Sequence, residues 1–360
     1  MDYKTTLMWK EINETPRVFS EINKVNELVM KNLVSDIKSS NAKNFVTAAR
    51  GTSDHALVYF KYLLEIYSNY TVSLSAPSVV TLYHGKVNYA NSVVIGCSQS
   101  GMAEDVLEVL KKANEDGAIT IGITNNPNSP IAKMARYHLY CNAGEERSVG
   151  ATKTFNAQLY LLLWLASELA GLRNNIKILK NFDKEMIQVI PQIDAITDKY
   201  LDMFKDKKDI FILSRGLTYA VALETAIKIQ ELCYVNAKGF ATSEFYHGPQ
   251  AMVNKDTPII IFCGKFTGDE ELQTLIRADQ MKCIERMLYL RAPVLLVTND
   301  CILTGKFKPC NDALINISVP EELSMFAFAL FAQIFSCKLS CTLGINPDEP
   351  RSVSKITITK

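Results

Sequence analysis

Asn44 to Ser53 reads NFVTAARGTS, and Asp209 to Thr218 reads DIFILSRGLT. Each is a short apolar run that ends in Arg-Gly and enters a helical pattern, and Arg50 and Arg215 lie 165 positions apart in a chain of 360. The elements that follow repeat in the same order. SVVIGC (Ser92 to Cys97) is matched by PIIIFC (Pro258 to Cys263), and AITIGIT (Ala118 to Thr124) by APVLLVT (Ala292 to Thr298). Tyr137 to Cys141 is matched by Ala313 to Val319, each before a long helical pattern. A repeat of this length makes each half a domain. Continuous apolar runs of five to seven residues that alternate with helices read as parallel strands covered on both faces. The sequence therefore predicts an α/β chain of two tandem, doubly wound, flavodoxin-like parallel-sheet domains.

The boundaries follow from composition. Residues 1–43 form a helical, amphipathic N-terminal segment, 44–173 the first domain and 174–207 a charged helical connector. The second domain is expected over 208–344 and an extended tail over 345–360. The connector has no Gly/Ser run, so it reads as a packed helix and not a flexible tether.

Lys and Arg number 39 against 38 Asp and Glu, a net charge of +1 that excludes a chain-wide basic footprint for nucleic acid. The longest uninterrupted apolar runs, Leu159 to Ala166 and Met325 to Ala332, are well short of the ~20 residues of a membrane span. No apolar secretory stretch follows Met1. The nine cysteines are odd in number, lack C-x-x-C spacing and sit mostly in apolar runs, as reduced thiols of a cytoplasmic protein do. No zinc-ligand spacing is present, so no zinc site is expected.

Ligands of open α/β sheets bind beyond the carboxyl ends of the strands. That rule selects Arg50-Gly51-Thr52-Ser53, Ser98-Gln99-Ser100-Gly101, Thr124-Asn125-Asn126 and the loop before Thr152. Ser98, Gln99 and Ser100 follow a buried strand and precede a helix. Hydroxyls, an amide and free N–H groups there can cradle a phosphate, or a serine can simply cap the helix. No P-loop or G-x-G-x-x-G pattern supports a nucleotide. Glu224, Lys228 and Glu231 fall within about 60° on one helical face. They are either an ordinary surface pair or, since the helix around them is apolar, a charged stripe lining a cleft where protons move. His247 lies on a Gly-Pro turn, and Lys355 lies in the tail.

Taken together, ARGTSDHA, CSQSG, AGEERSVGATKTF, LETAIKIQELCY, SEFYHGP and NPDEPRSVSKITIT resemble the sugar isomerase (SIS) family. More narrowly, they resemble the isomerase half of glucosamine-6-phosphate synthase and its stand-alone relatives. The resemblance runs from about residue 40 to the end, and GTSDHALVYFKYLLEI, APSV and GINPD look closest to the amino-sugar-phosphate deaminase branch.

The resemblance implies roles. Ser98, Gln99 and Ser100 match the phosphate loop, Gly51, Thr52 and Ser53 the first sugar-contacting loop, and Val149 a backbone contact near the sugar. Glu231 matches the carboxylate that moves a proton between C1 and C2, with Lys228 and Glu224 as its helical neighbours. His247 matches the ring-opening histidine, supplied across a homodimer interface, and Lys355 the tail lysine that approaches the sugar carbonyl. The synthase pattern places an acidic residue and then a phosphate-touching threonine after the loop, where this chain has Met102 and Ala103. The synthase also carries a glutamine-hydrolysing domain with an N-terminal cysteine, whereas here residue 2 is Asp and about 40 residues precede the first α/β domain. The expected activity is deamination and isomerisation of an amino-sugar 6-phosphate in the direction of ammonia release, with no glutaminase activity and with no metal or redox cofactor, because the imine itself is the electron sink. A deglycase for fructosamine 6-phosphates and a phosphosugar-sensing regulatory module are the alternatives. Neither nucleic acid nor membrane is an expected partner.

Overall fold

The computed structural model describes residues 1–266, 268–307, 313–353 and 355. Thr267, Cys310 and the end of the tail lie outside the described residues. Of the tail expected to run extended over 345–360, residues 345–353 are described and contain turns at Pro347–Asp348 and Arg351–Ser352. The strands are β1 (Asn44–Ala48), β2 (Thr71–Leu74), β3 (Ser92–Ser98), β4 (Ile119–Thr124) and β5 (Tyr137–Tyr140), then β6 (Asp209–Ser214), β7 (Asn236–Ala241), β8 (Ile259–Cys263), β9 (Val294–Thr298) and β10 (Leu314–Asn316). The helices are α1 (Leu7–Asn13), α2 (Thr15–Ser39), α3 (Thr52–Tyr67), α4 (Ser78–Thr81), α5 (Glu104–Glu115), α6 (Pro130–Met134) and α7 (Lys153–Ala170). They continue as α8 (Arg173–Leu179), α9 (Phe182–Thr197), α10 (Tyr219–Cys233), α11 (Thr242–Tyr246), α12 (Glu270–Tyr289), α13 (Cys301–Phe307) and α14 (Glu321–Thr342).

Among the described residues all strand pairings are parallel, in two five-stranded sheets ordered β2-β1-β3-β4-β5 and β10-β9-β8-β6-β7. Read from the edge strand, β7-β6-β8-β9-β10 is the same order as the first sheet, so the sequence repeat is a repeat of topology. The strands that read as apolar runs are the buried ones. Ser92 to Cys97 and all of β4 are buried, as are all of β8 and β9. The edge strands β2 (TVSL) and β7 (NAKGFA) were not among the expected strands: each buries only one residue fully, and polar residues break its apolar run. By contrast β5 and β10, at the opposite edges, were read from their matching places in the repeat.

The repeat extends to side chains. Arg50, just past β1, pairs with Asp105 of α5 at 2.6 Å, and Arg215, just past β6, pairs with Asp279 of α12 at 2.6 Å. Asn125 receives the Ala143 N–H and donates to the Gly144 carbonyl, and Asn299 receives the Lys265 N–H and donates to the Val319 carbonyl. In each half the asparagine past the fourth strand anchors the loop past the fifth, and Asn299 also holds the loop past β8.

Two compact units emerge. The first holds Glu14–Glu146, Ala151–Asp183 and Lys355, and the second holds Met1–Asn13, Arg147–Gly150 and Lys184–Val353. In the first unit, α7 is buried over nearly its whole length and stops where Gly171 turns left-handed at φ 72°. In the second, α14 is buried from Leu323 to Cys341. By length and apolarity α14 could cross a bilayer, yet the apolar stretch is wholly buried inside the protein. It contains Ser, Gln and Lys between its apolar residues, so a search for unbroken apolar runs passes over it. Burying each large apolar side chain contributes roughly 1.5–3 kcal/mol, which is what fixes these two helices.

Candidate active site

In the first unit, β3 ends at Ser98 and the chain turns through Gly101 at φ 68°. A Cβ at Gly101 would lie 2.1 Å from the Ser129 hydroxyl oxygen, so only glycine fits. The Ser98 Oγ accepts the Gly101 N–H at 3.2 Å, and the Ser100 Oγ accepts the Met102 N–H at 3.3 Å. The Gln99 carbonyl accepts the Asn125 N–H at 2.9 Å. Helix α5 begins at Glu104 with Ala103 as its uncapped N-cap residue, so neither serine caps that helix. Each serine hydroxyl accepts a loop N–H and keeps its own proton to donate. Ser98, Gln99 and Ser100 are half-buried, which leaves them within reach of a ligand.

Gly51 (φ 54°) turns the chain from β1 into α3, placing Thr52 and Ser53 in the first turn. Ser53 is buried, accepts from Gln158 Nε2 at 3.0 Å and hydrogen-bonds the Cys97 thiol, which burial pushes well above its usual range. Gln158, a buried amide on apolar α7, escaped the sequence reading; a glutamine inside a run of Leu and Ala was its one signal.

The next loop carries a second group that sequence reasoning missed. Glu146 is fully buried, and its carboxylate accepts the Thr152 and Thr154 N–H groups at 3.0 Å and the Thr154 hydroxyl at 2.6 Å. Lys355 Nζ donates to it at 2.6 Å. Burial would raise the Glu146 pKa, but the Lys355 charge and hydrogen bond and the threonine donors outweigh it and hold the carboxyl below its ordinary range. The carboxylate also sits at the N-terminus of α7, where helix N–H groups favour an anion. Lys153, likewise buried, pairs with Glu14 at 2.6 Å.

In the second unit, Glu11 of α1 accepts the Arg147 N–H at 2.5 Å and the Ser148 N–H at 3.2 Å, and it binds the Ser148 hydroxyl. This grip fixes the backbone just ahead of Val149, which is half-buried. A Cβ on Gly150 would stand 3.4 Å from Leu232 and 3.7 Å from the Lys228 side chain, so this loop runs along α10.

Glu224, Lys228 and Glu231 meet on α10 as the spacing implied. Lys228 Nζ lies 3.3 Å from Glu224 and 3.1 Å from Glu231. Lys228 and Glu224 are closed off from solvent at 1% and 0% side-chain exposure, whereas Glu231 retains 23%. Burial alone would depress the Lys228 ammonium; Glu224 and Glu231 reverse this and hold it protonated. Two carboxylates around one ammonium leave one formal negative charge, and Glu231 is the member that a ligand can reach. His247 follows α11 on a turn and is exposed, with no side-chain partner among the described residues. Among the described residues no group of three His, Cys, Asp or Glu converges to hold a metal.

The SIS domain model matches residues 39–168 and 203–283, more than half of the chain. The chain belongs to the SIS-domain family. It is 31% identical over 98% of its length to the glutamine–fructose-6-phosphate aminotransferase (isomerizing) of Sulfurisphaera tokodaii, and it covers 56% of that protein. This SIS protein thus spans about half the length of the curated relatives it matches, and it is homologous to their isomerase domain. The C-terminal domain of glucosamine-fructose-6-phosphate aminotransferase from Francisella tularensis superposes with a TM-score of 0.81 at 25% identity, covering 96% of this chain and 98% of that one. Glucosamine-6-phosphate deaminase from Thermotoga maritima shares the fold with a TM-score of 0.73 at 21% identity, over 98% of this chain and 100% of that one.

Proposed function

We propose that this SIS protein is a phosphosugar isomerase that deaminates an amino-sugar 6-phosphate, with glucosamine 6-phosphate plus water giving fructose 6-phosphate plus ammonia. The observation that carries the reading is the α10 triad: a buried ammonium held charged by two carboxylates, only one of which is open to a ligand. A carboxylate so placed can take a carbon-bound proton while the fixed cation beside it steadies the charge that develops.

The Ser98, Gln99 and Ser100 loop holds the phosphate through hydroxyl and backbone N–H donors. His247 opens the sugar ring, in the reading from a second subunit of a homodimer. Glu231 removes the C2 proton and returns a proton to C1, so that C2 is oxidised to an imine as C1 is reduced. Water then hydrolyses the imine to the ketone and ammonia. Lys228 stabilises charge on the C2 heteroatom, and Glu224 keeps Lys228 charged. Lys355 offers its ammonium to the sugar carbonyl. Support for deamination over amination comes from Met102 and Ala103, where the synthase pattern has an acid and a threonine, and from GTSDHALVYFKYLLEI and GINPD.

Glucosamine 6-phosphate deuterated at C2 tests this. The label should leave C2 and appear at C1 of fructose 6-phosphate or in solvent. A label that stays at C2 while the protein binds the sugar phosphate contradicts the reading.

A further inference from the structure

Helix α10 ends at Cys233, and Tyr234, three residues after Glu231, caps it in a left-handed conformation with φ 57°. Glycine is the usual residue there, because a Cβ crowds the backbone in that region. A tyrosine kept in this conformation points to a use for its ring. Both ends of that side chain are engaged by the tail. The Tyr234 hydroxyl accepts the Arg351 N–H at 2.7 Å, and the Arg351 guanidinium lies 4.3 Å from the centre of the ring. A cation over an aromatic face is attracted by the ring's negative centre.

Upstream the tail is already pinned. Asp348 accepts the Leu7 N–H at 2.6 Å and the Met8 N–H at 2.9 Å, and its own N–H is held by the Asn346 side chain at 3.1 Å. Tyr234 therefore grips the tail at Arg351, four positions before Lys355. We propose that Tyr234 and Arg351 form a clamp that positions Lys355 by tying the tail to the end of the helix that carries Glu231. Both are positioning residues, and the inference rests on the role given to Lys355 above. The clamp fixes the chain at Arg351, four positions before Lys355.

Tyr234→Gly is the cleanest test, because glycine accepts the left-handed backbone and removes only the ring. Arg351→Ala removes the other half. Each should speed hydrogen exchange of the Arg351 backbone amide, which donates to the Tyr234 hydroxyl, by about 10-fold or more, as an opened segment does. Each should lower kcat on glucosamine 6-phosphate by about 10-fold, the scale of a misplaced group, with KM nearly unchanged. The double variant Tyr234→Gly/Arg351→Ala should be no slower than either single one. Adding Lys355→Ala to Tyr234→Gly should cost no more than Lys355→Ala alone. Unchanged exchange in both single variants overturns the clamp. So does faster exchange with unchanged kcat, or losses that multiply when Lys355→Ala is added. A fully active Lys355→Ala protein would instead overturn the role of Lys355, and the exchange measurement would still decide whether the clamp holds the tail.

Discussion

Lys355 Nζ donates to Glu146 Oε2 across 2.6 Å, joining positions 209 residues apart. The carboxylate is fully buried and the lysine side chain retains 21% exposure, so the pair is asymmetric: the cation can return to water and the anion cannot.

That asymmetry sets the outcome of removing each partner. Lys355→Met strips a buried carboxylate of its counter-charge and should destabilise the protein at pH 7 by roughly 1–3 kcal/mol. Glu146→Gln in the same chain should recover part of that loss. The folded Glu146 carboxyl titrates below its ordinary value of 4.5, so its contribution is complete above that value and is lost as pH falls through the lower, folded one. Lys355→Met should therefore move the acid unfolding midpoint to higher pH. Identical acid midpoints in wild-type and variant denaturation would show that the pair does not set the Glu146 charge.

Glu231→Gln keeps the size and hydrogen bonding of the side chain and removes its basicity. Turnover should fall by roughly 10²-fold or more, the range for a general base. Binding of a sugar phosphate, measured by calorimetry, should hardly change. Near-normal turnover would remove Glu231 from the proton transfer.

Ser98 and Ser100 already accept loop N–H groups, so their protons are the ones to be donated to a ligand. Replacing both with Ala should weaken a phosphorylated sugar by roughly 1.5–3 kcal/mol per charge-assisted hydrogen bond lost. The unphosphorylated sugar should bind as before. Equal losses for both ligands would assign the loop to folding or to sugar recognition.

If His247 acts in a neighbour's site, two inactive proteins should restore each other. His247→Ala and Glu231→Ala homodimers should each be dead, and a statistical mixture should recover about a quarter of wild-type activity through the two-fold symmetry of the dimer. A verified mixed dimer without activity would return His247 to its own subunit's site or remove it from the reaction.

How much of this could be read from the sequence depended on burial. The central strands were legible because burial on both faces makes a run such as SVVIGC continuous. Of the edge strands, β5 and β10 were legible from their matching places in the repeat, whereas β2 and β7 carry neither a continuous run nor a match that was read. The α10 triad was legible as spacing alone. Its meaning came from burial: the same Glu, Lys, Glu spacing on a solvated helix is a weak surface network. Glu146, Glu11 and Gln158 were missed for one reason. Each acts on a group distant in the chain, Lys355, the 147–148 backbone and Ser53, and nothing local to a glutamate or glutamine records such a partner. Tyr234 gave no signal because a left-handed backbone at a tyrosine is not marked by its residue type.

The reaction itself is the most direct test of the proposed function. Purified protein, incubated with glucosamine 6-phosphate and neither glutamine nor added metal, should form fructose 6-phosphate and ammonia in equal amounts. Fructoselysine 6-phosphate in parallel should release no lysine. Formation of the two products one-to-one is the predicted result. Binding of glucosamine 6-phosphate with no ammonia released, or lysine released from the parallel substrate, would contradict it.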